Sequence, residues 1–195
     1  MFSKRTRNND KELNDEELVS ALQKHMDTER FGVLYDRYTT KVYQKCLGMT
    51  RDKDLAKDLT HDIFLKAFVN LSKFDHRSKF GTWLYSITYN YCLDTLRKGQ
   101  RTRSEEIDER VEDGTIDDQA YEAKLLGLRA DRLDQVIAKL DPADRALLLM
   151  KYQEDLSVKD IMEVMALQES AVKMRILRAR ERALRLYGQL YPEEP

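Results

Sequence analysis

Residues 157–184 read SVKDIMEVMALQESAVKMRILRARERAL, and their spacing decides the fold. Ser157 followed three positions later by Asp160 has the form of a capping box, so a helix starts there. Val158, Ile161, Val164 and Met165 fall on one of its faces. After a tight turn at Ala166 and Leu167, Val172, Ile176, Ala179 and Ala183 recur at helical spacing. The opposite face of this second helix carries Ser170, Lys173, Met174 and Arg178. A short helix, a tight turn and a basic second helix with donors on its outer face make a helix-turn-helix. The second helix of that design enters the major groove, where Lys and Arg donate to guanine edges. An ordinary helical hairpin with a charged surface would show the same apolar stripe. The clustering of basic residues on the helix after the turn favours DNA. Two positions are atypical of the design: Ala166 stands where Gly usually supplies a positive φ, and Gln168 is a poor N-cap.

The rest of the chain reads as helix too. Its 195 residues hold 7 Gly and 3 Pro, and two of the prolines, Pro192 and Pro195, lie at the C-terminal end. An all-β fold needs more turns than that supply allows. Charged residues make up 35% and hydrophobic ones 42%, which suits long charged helices with apolar stripes. Asn14 with Asp15, Glu16 and Glu17 marks a helix start. A second helix is expected over about 29–47, ended by Gly48, and Asp52 caps a third reaching about residue 71. A fourth is expected from about 79 to Gly99, one long helix over about 121–140, and another over 142–153 with Pro142 at its first position. The basic helix runs to about Tyr187.

The net charge of -1 conceals strong segregation. Residues 73–103 hold seven Lys/Arg against two Asp, and residues 168–187 hold six against two Glu. Between them, residues 104–118 hold eight Asp/Glu against one Arg. Two basic blocks divided by an acidic one point to two surfaces for a polyanion and a linker that avoids it, although solvated helix faces also carry such runs. The expected organisation is all-α. A disordered N-terminus spans 1–12, and a helical domain 13–99 is followed by an acidic linker 100–120. A helix-turn-helix domain covers 121–187 and a tail 188–195. Cys46 and Cys92 have no metal-ligand spacing, and His25, His61 and His76 are scattered, so neither a metal site nor a disulfide framework is expected. The N-terminus lacks the apolar run of a signal peptide, and no run spans a bilayer, so a cytoplasmic protein without membrane insertion is expected.

Two further constellations stand out. In residues 72–98, Phe74, Phe80, Trp83, Tyr85, Tyr89 and Tyr91 lie among Lys73, Arg77, Lys79, Arg97 and Lys98. Basic groups track phosphates, while aromatic faces stack on bases that are unpaired or flipped. Some of these rings must instead be core, since a helix needs a buried stripe; Trp83 and Tyr85 are expected at least half buried, and Phe74, before the helix, is expected free to act. In DLTHDIFLKAF, residues 58–68, Leu59, Ile63 and Ala67 continue a buried stripe from Leu55. Asp58, His61, Asp62, Leu65 and Val69 fall on an adjacent face. That mixed acidic and apolar face suits a helical partner rich in Arg and Leu. A plain solvated face would explain the acids but not Leu65 and Val69. No catalytic constellation, phosphate loop or cofactor motif is present, and an enzyme is not expected.

The segments DLTHDIFLKAF, FGTWLYSITYNYCLDTLRK and LSVKDIMEVMALQESAVKMRILRARERAL, in this order, resemble the two modules of extracytoplasmic-function (ECF) sigma factors of the bacterial sigma-70 family. The resemblance runs from about Asp15 to Tyr187. It implies a non-enzymatic transcription initiation factor that binds core RNA polymerase, at the β′ clamp helices and the β flap, and directs it to promoter DNA. It also implies an anti-sigma factor as inhibitor. By this resemblance Asp58, His61, Asp62 and Leu65 grip the clamp helices. Phe74, the loop Asp75, His76, Arg77, Ser78 and Lys79, and Asn90 take a flipped base of the minus-10 element. Gln168, Glu169, Ser170, Lys173, Met174, Arg175 and Arg178 read the minus-35 element. The acidic linker would run through the polymerase. A regulator binding DNA without polymerase, with its first module used for dimerisation, is the alternative; co-purification with core polymerase separates the two.

Overall fold

The computed structural model describes residues 10–100, 118–127 and 130–192. Among them all regular structure is helical, and they divide into two compact units, one taking in residues up to Cys92 and the other most of those from Leu93 on.

In the first unit, α1 (Asp15–Lys24) begins on a capping box: the Glu17 N–H donates to the Asn14 side chain, and the Asn14 N–H donates to the Glu17 carboxylate. α2 (Thr28–Thr50) is capped by Asp27, and α3 (Lys53–Asn70) by Asp52, whose carboxylate accepts from the N–H groups of Asp54 and Leu55. α2 does not stop at Gly48 as expected from sequence. It continues to Thr50 and ends at Arg51 in the left-handed region, φ 58°. Met49, wholly buried, holds the extra turn, and its burial outweighs the roughly 1 kcal/mol that an interior Gly costs a helix. A 3₁₀ turn, Leu71–Lys73, leads through an extended stretch into α4 (Phe80–Gln100).

Aromatic rings join these helices. Phe31 of α2 sets its edge against Phe68 of α3 at 5.0 Å, and Tyr38 meets Phe80 of α4 at 5.5 Å. α4 approaches so closely at Gly81 that a Cβ there would stand 3.0 Å from the Tyr38 hydroxyl oxygen. That hydroxyl donates to Asp15, which also takes Arg37 at 2.6 Å, so α1 is tied to α2 by one carboxylate. Burial, and then the Asp15 bond, push the Tyr38 phenol far above its usual pKa. Cys46 of α2 and Cys92 of α4 are both fully buried, with sulfurs 3.6 Å apart. The expected disorder of 1–12 does not extend to its last residues. Asp10 is buried and pairs with Arg30 at 3.0 Å, and the Lys11 carbonyl accepts from Arg37. Residues 1–9 lie outside the described residues.

In the second unit, the single helix expected over 121–140 is two: α5 (Asp118–Leu126) and α6 (Ala130–Lys139). The break follows Gly127, which is exposed, so no packing offsets the helix cost of Gly there. α7 (Pro142–Leu148) starts on Asp141, which accepts from the Ala143 N–H, and passes into a π-helical turn, Leu149–Gln153, where an unbroken α-helix to 153 was expected. Arg145 donates to the carbonyls of Ile137, Ala138 and Leu140, satisfying acceptors at the end of α6. α8 (Val158–Met165) has the expected capping box of Ser157 and Asp160. α9 (Glu169–Leu190) outruns its expected end at 187, so the expected tail 188–195 is helical through Leu190, and Tyr191 packs on Tyr187 at 5.0 Å. The acidic linker expected over 100–120 lies outside the described residues but for its ends, where Gln100 closes α4 and Asp118 opens α5.

Candidate nucleic-acid interface

The turn between α8 and α9 is built on Ala166, at φ 53° and ψ 45°. This is the left-handed conformation for which Gly is the usual residue, and Ala takes it at a cost of about 1 kcal/mol. The Ala166 and Leu167 N–H groups both donate to the Met162 carbonyl, closing α8. Gln168 occupies the N-cap of α9 without a side-chain cap bond, as its poor capping propensity predicts. α9 then divides into two faces. Val172, Ile176, Ala179 and Ala183 are buried, with Leu177 beside them. Gln168, Glu169, Ser170, Lys173, Met174 and Arg175 are exposed. Lys173 pairs with Glu169 one turn earlier at 2.6 Å, and this bond holds the Glu169 carboxyl below its usual pKa. Arg178 is half-buried, and its Nε is enclosed without a hydrogen-bond partner.

The basic block on α9 is smaller at the surface than its sequence suggests. Arg180 is buried: its Nε donates to the Tyr152 hydroxyl and its Nη2 lies 3.0 Å from Glu122. The Tyr152 hydroxyl in turn donates to Glu122, and burial pushes this phenol up to about 12. Arg182 pairs with Asp144 at 2.6 Å. One of the six cations is therefore drawn inside this unit, and a second, Arg182, is exposed but already paired.

In the first unit, Asp75, His76, Arg77 and Lys79 are exposed, Ser78 is half-buried, and Asn90 is exposed on α4. Arg77 pairs with Asp75, which holds the Asp75 carboxyl below its usual pKa. Phe74 differs from expectation. It is only 3% exposed, because its ring is enclosed by Phe80 at 6.2 Å, Trp83 at 5.3 Å and His76 at 4.7 Å. An apolar ring leaving a turn toward a helix finds the core, so Phe74 is a support behind the loop and not an open stacking face. Trp83 and Tyr85 are half-buried and Tyr89 is buried. Gln23 of α1 reaches this loop as well: its Nε2 donates to the Leu71 carbonyl at 2.9 Å and the Phe74 carbonyl at 2.7 Å, and its Oε1 meets His76 Nε2 at 2.8 Å. Sequence reasoning missed it, since its partners lie 48 to 53 residues away and no local pattern marks it.

On α3, Asp58, His61, Asp62, Leu65 and Val69 are all exposed, Leu65 to 53% and Val69 to 73%, while Leu59, Ile63 and Ala67 are buried. Beside Leu65 and His61 an apolar cleft of about 320 Å³ opens between α2 and α3, with Phe31, Tyr35, Phe64 and Phe68 in its walls. Asp62 accepts from the Tyr91 hydroxyl at 3.0 Å. Among the described residues no group of three or more His, Cys, Asp or Glu is placed to hold a metal ion. No helix among them is long and apolar enough to cross a membrane.

Comparison with known proteins bears on both units. Residues 34–102 match the family model of sigma-70 region 2, and residues 130–182 match that of sigma-70 region 4. The chain is 32% identical over 166 residues to the ECF RNA polymerase sigma factor SigW of Bacillus subtilis, covering 80% of this chain and 87% of the relative. It is 30% identical over 178 residues to the ECF RNA polymerase sigma-E factor of Haemophilus influenzae, covering 87% and 93%. In fold it is similar to CnrH, solved in complex with the cytosolic domain of CnrY, with a TM-score of 0.62 at 23% identity over 92% of this chain and 99% of that one. It is also similar in fold to the sigma factor RpoE of Bartonella quintana, solved in complex with the anti-sigma factor NepR, with a TM-score of 0.58 at 17% identity over 86% and 100%. With both regions matched in order and a relative of this identity matched over most of its length, the chain belongs to the ECF sigma factors of the sigma-70 family.

Proposed function

We propose that this ECF sigma factor reads promoters with two separate surfaces while a third holds core polymerase. The observation that carries this reading is the division of α9. A buried apolar face seats it, and an exposed face presents Ser170, Lys173, Met174 and Arg175, with Arg178 at its margin. Presented to the major groove, that face supplies donors to the base edges of the minus-35 element. The uncapped N-terminus at Gln168 leaves backbone donors for a flanking phosphate.

The exposed loop at residues 75–79, with Asn90, takes a flipped minus-10 base. Phe74 contributes from behind by fixing His76 and Trp83, whose rings are closer to the surface. Asn90 offers both a donor and an acceptor to a base edge. Asp58, His61, Asp62 and Leu65 form the surface for the β′ clamp helices, with the adjoining apolar cleft available to an aliphatic side chain, and the second unit engages the β flap. The protein contributes binding and strand separation, not bond-making chemistry, and works in the cytoplasm, where an anti-sigma factor restrains it.

Run-off transcription with core enzyme on a randomised promoter library tests the reading. Transcription should depend on both core enzyme and chain, and exchange of residues 75–79 for other polar residues should change only minus-10 preference. Specific DNA binding by the chain without any association with core polymerase would overturn it.

A further inference from the structure

Gln23 lies on no surface assigned so far, yet its side-chain amide is fully committed. An amide carries two N–H donors and one carbonyl acceptor. Here the nitrogen reaches the Leu71 carbonyl at 2.9 Å and the Phe74 carbonyl at 2.7 Å, so both protons are engaged. The carbonyl oxygen then accepts from His76, which fixes the proton of that imidazole on Nε2, at 2.8 Å. These three partners are the first residue of the 3₁₀ turn, the residue that follows it, and the second residue of the exposed loop it leads into.

His76 itself sits in the left-handed region at φ 59°, where a residue with a β-carbon is held only by its surroundings. Two contacts hold it: the Gln23 amide, and the Phe74 ring 4.7 Å away. Downstream, Asp75 and Arg77 pair with each other on the exposed side of the loop. The direction in which Arg77, Ser78 and Lys79 leave the core is thus set at His76, and His76 is set by α1. No other residue of this length meets the requirement: Glu lacks the two donors, Lys lacks the acceptor, and Met lacks both.

We propose that Gln23 is a positioning residue for minus-10 recognition, holding the loop in the one conformation that fits its base. This rests on the reading of residues 75–79 as the base-capture loop. Three forms of the full chain with core polymerase test it on templates randomised separately at each element: Gln23→Met, Gln23→Glu, and an exchange of residues 75–79. Gln23→Met keeps the length of the side chain and removes all three bonds. It should lower discrimination at one minus-10 position about five- to tenfold, the equivalent of one or two neutral hydrogen bonds, with minus-35 discrimination and polymerase affinity within about twofold of wild type. Gln23→Glu keeps an acceptor for His76 but sets carboxylate oxygens against two carbonyls, and should lose at least as much. If the loop exchange shifts minus-10 preference and both Gln23 variants leave it intact, the positioning role is overturned and the base-capture reading stands. If the loop exchange also leaves it intact, the base-capture reading falls and the positioning role with it. Equal loss at both elements overturns the positioning role, because a general loss of stability has that effect and a misdirected loop does not.

Discussion

The Tyr91 hydroxyl of α4 donates to the Asp62 carboxylate of α3 at 3.0 Å, and Lys66 of α3 stands 4.7 Å from the Tyr91 ring centre. The bond to Asp62 keeps the Tyr91 phenol above its usual pKa. Asp62 is thus oriented before any partner arrives. Asp62→Arg removes this acceptor and presents a like charge to a basic partner, which should cost several kcal/mol of polymerase binding. Helicity and melting temperature should stay near wild type, because Asp62 is exposed. Affinity for core polymerase by fluorescence titration, beside circular dichroism, checks this; unchanged affinity removes α3 from the interface.

Phe74→Ala should act on folding first. Deleting a buried aromatic ring costs about 3–5 kcal/mol. The loss should appear as a lower urea midpoint for the first unit even without DNA. A stability equal to wild type, with a defect only in promoter opening, would return Phe74 to a direct stacking role.

Ala166→Gly relieves a left-handed alanine but loosens the unfolded chain. These effects oppose, and the net should be a stabilisation of up to about 1 kcal/mol. Chemical denaturation of the full chain measures it. A clear loss of stability would mean that the Ala166 methyl makes contacts worth more than the strain.

Lys173→Ala and Arg178→Ala separate base from phosphate contacts. A base contact costs about 1–3 kcal/mol on the preferred minus-35 sequence and relaxes one position. A phosphate contact weakens all sequences alike and flattens the salt dependence by about one unit of slope. Glu169, already paired with Lys173, competes for that cation, so Glu169→Ala should strengthen binding if Lys173 meets a phosphate. Binding isotherms across salt decide; no change in any variant would dismiss this docking of α9.

Tyr152 gives a pH dependence whose sign is fixed. Its phenol titrates near 10 when unfolded and is pushed up to about 12 when folded, chiefly by burial. Between those values the folded state binds more protons, so its contribution is complete below pH 10 and is lost as pH rises toward 12. Tyr152→Phe should flatten the fall in stability of the second unit across that window. An identical slope in wild type and variant would show that Tyr152 does not report on folding.

Helix starts were legible because a cap bond spans only three residues: Asn14, Asp52, Asp141 and Ser157 all cap as their sequence context predicts. Helix ends were less so. Gly48 and Gly127 look alike in sequence, yet α2 runs through the first and α5 ends near the second, the difference lying in the burial of Met49. The two faces of α9 followed from its 3.6-residue period. Arg180 did not, since the apolar count cannot foresee that Glu122 and Tyr152 would draw a cation inside. Phe74 and Gln23 belong to the same class. Their roles are set by partners brought close only by folding.

The paired thiols of Cys46 and Cys92 have a practical consequence. Only an accessible thiolate reacts with an aromatic disulfide reagent; both sulfurs are fully buried, and the contact with Cys46, together with burial, keeps the Cys92 thiol protonated. Labelling of either sulfur therefore waits until α2 and α4 separate. With no other cysteine in the chain, the rate of colour release is a clock for the opening of that helix pair. Measured with and without core polymerase, it reports how far the first unit is locked by assembly, with no probe attached.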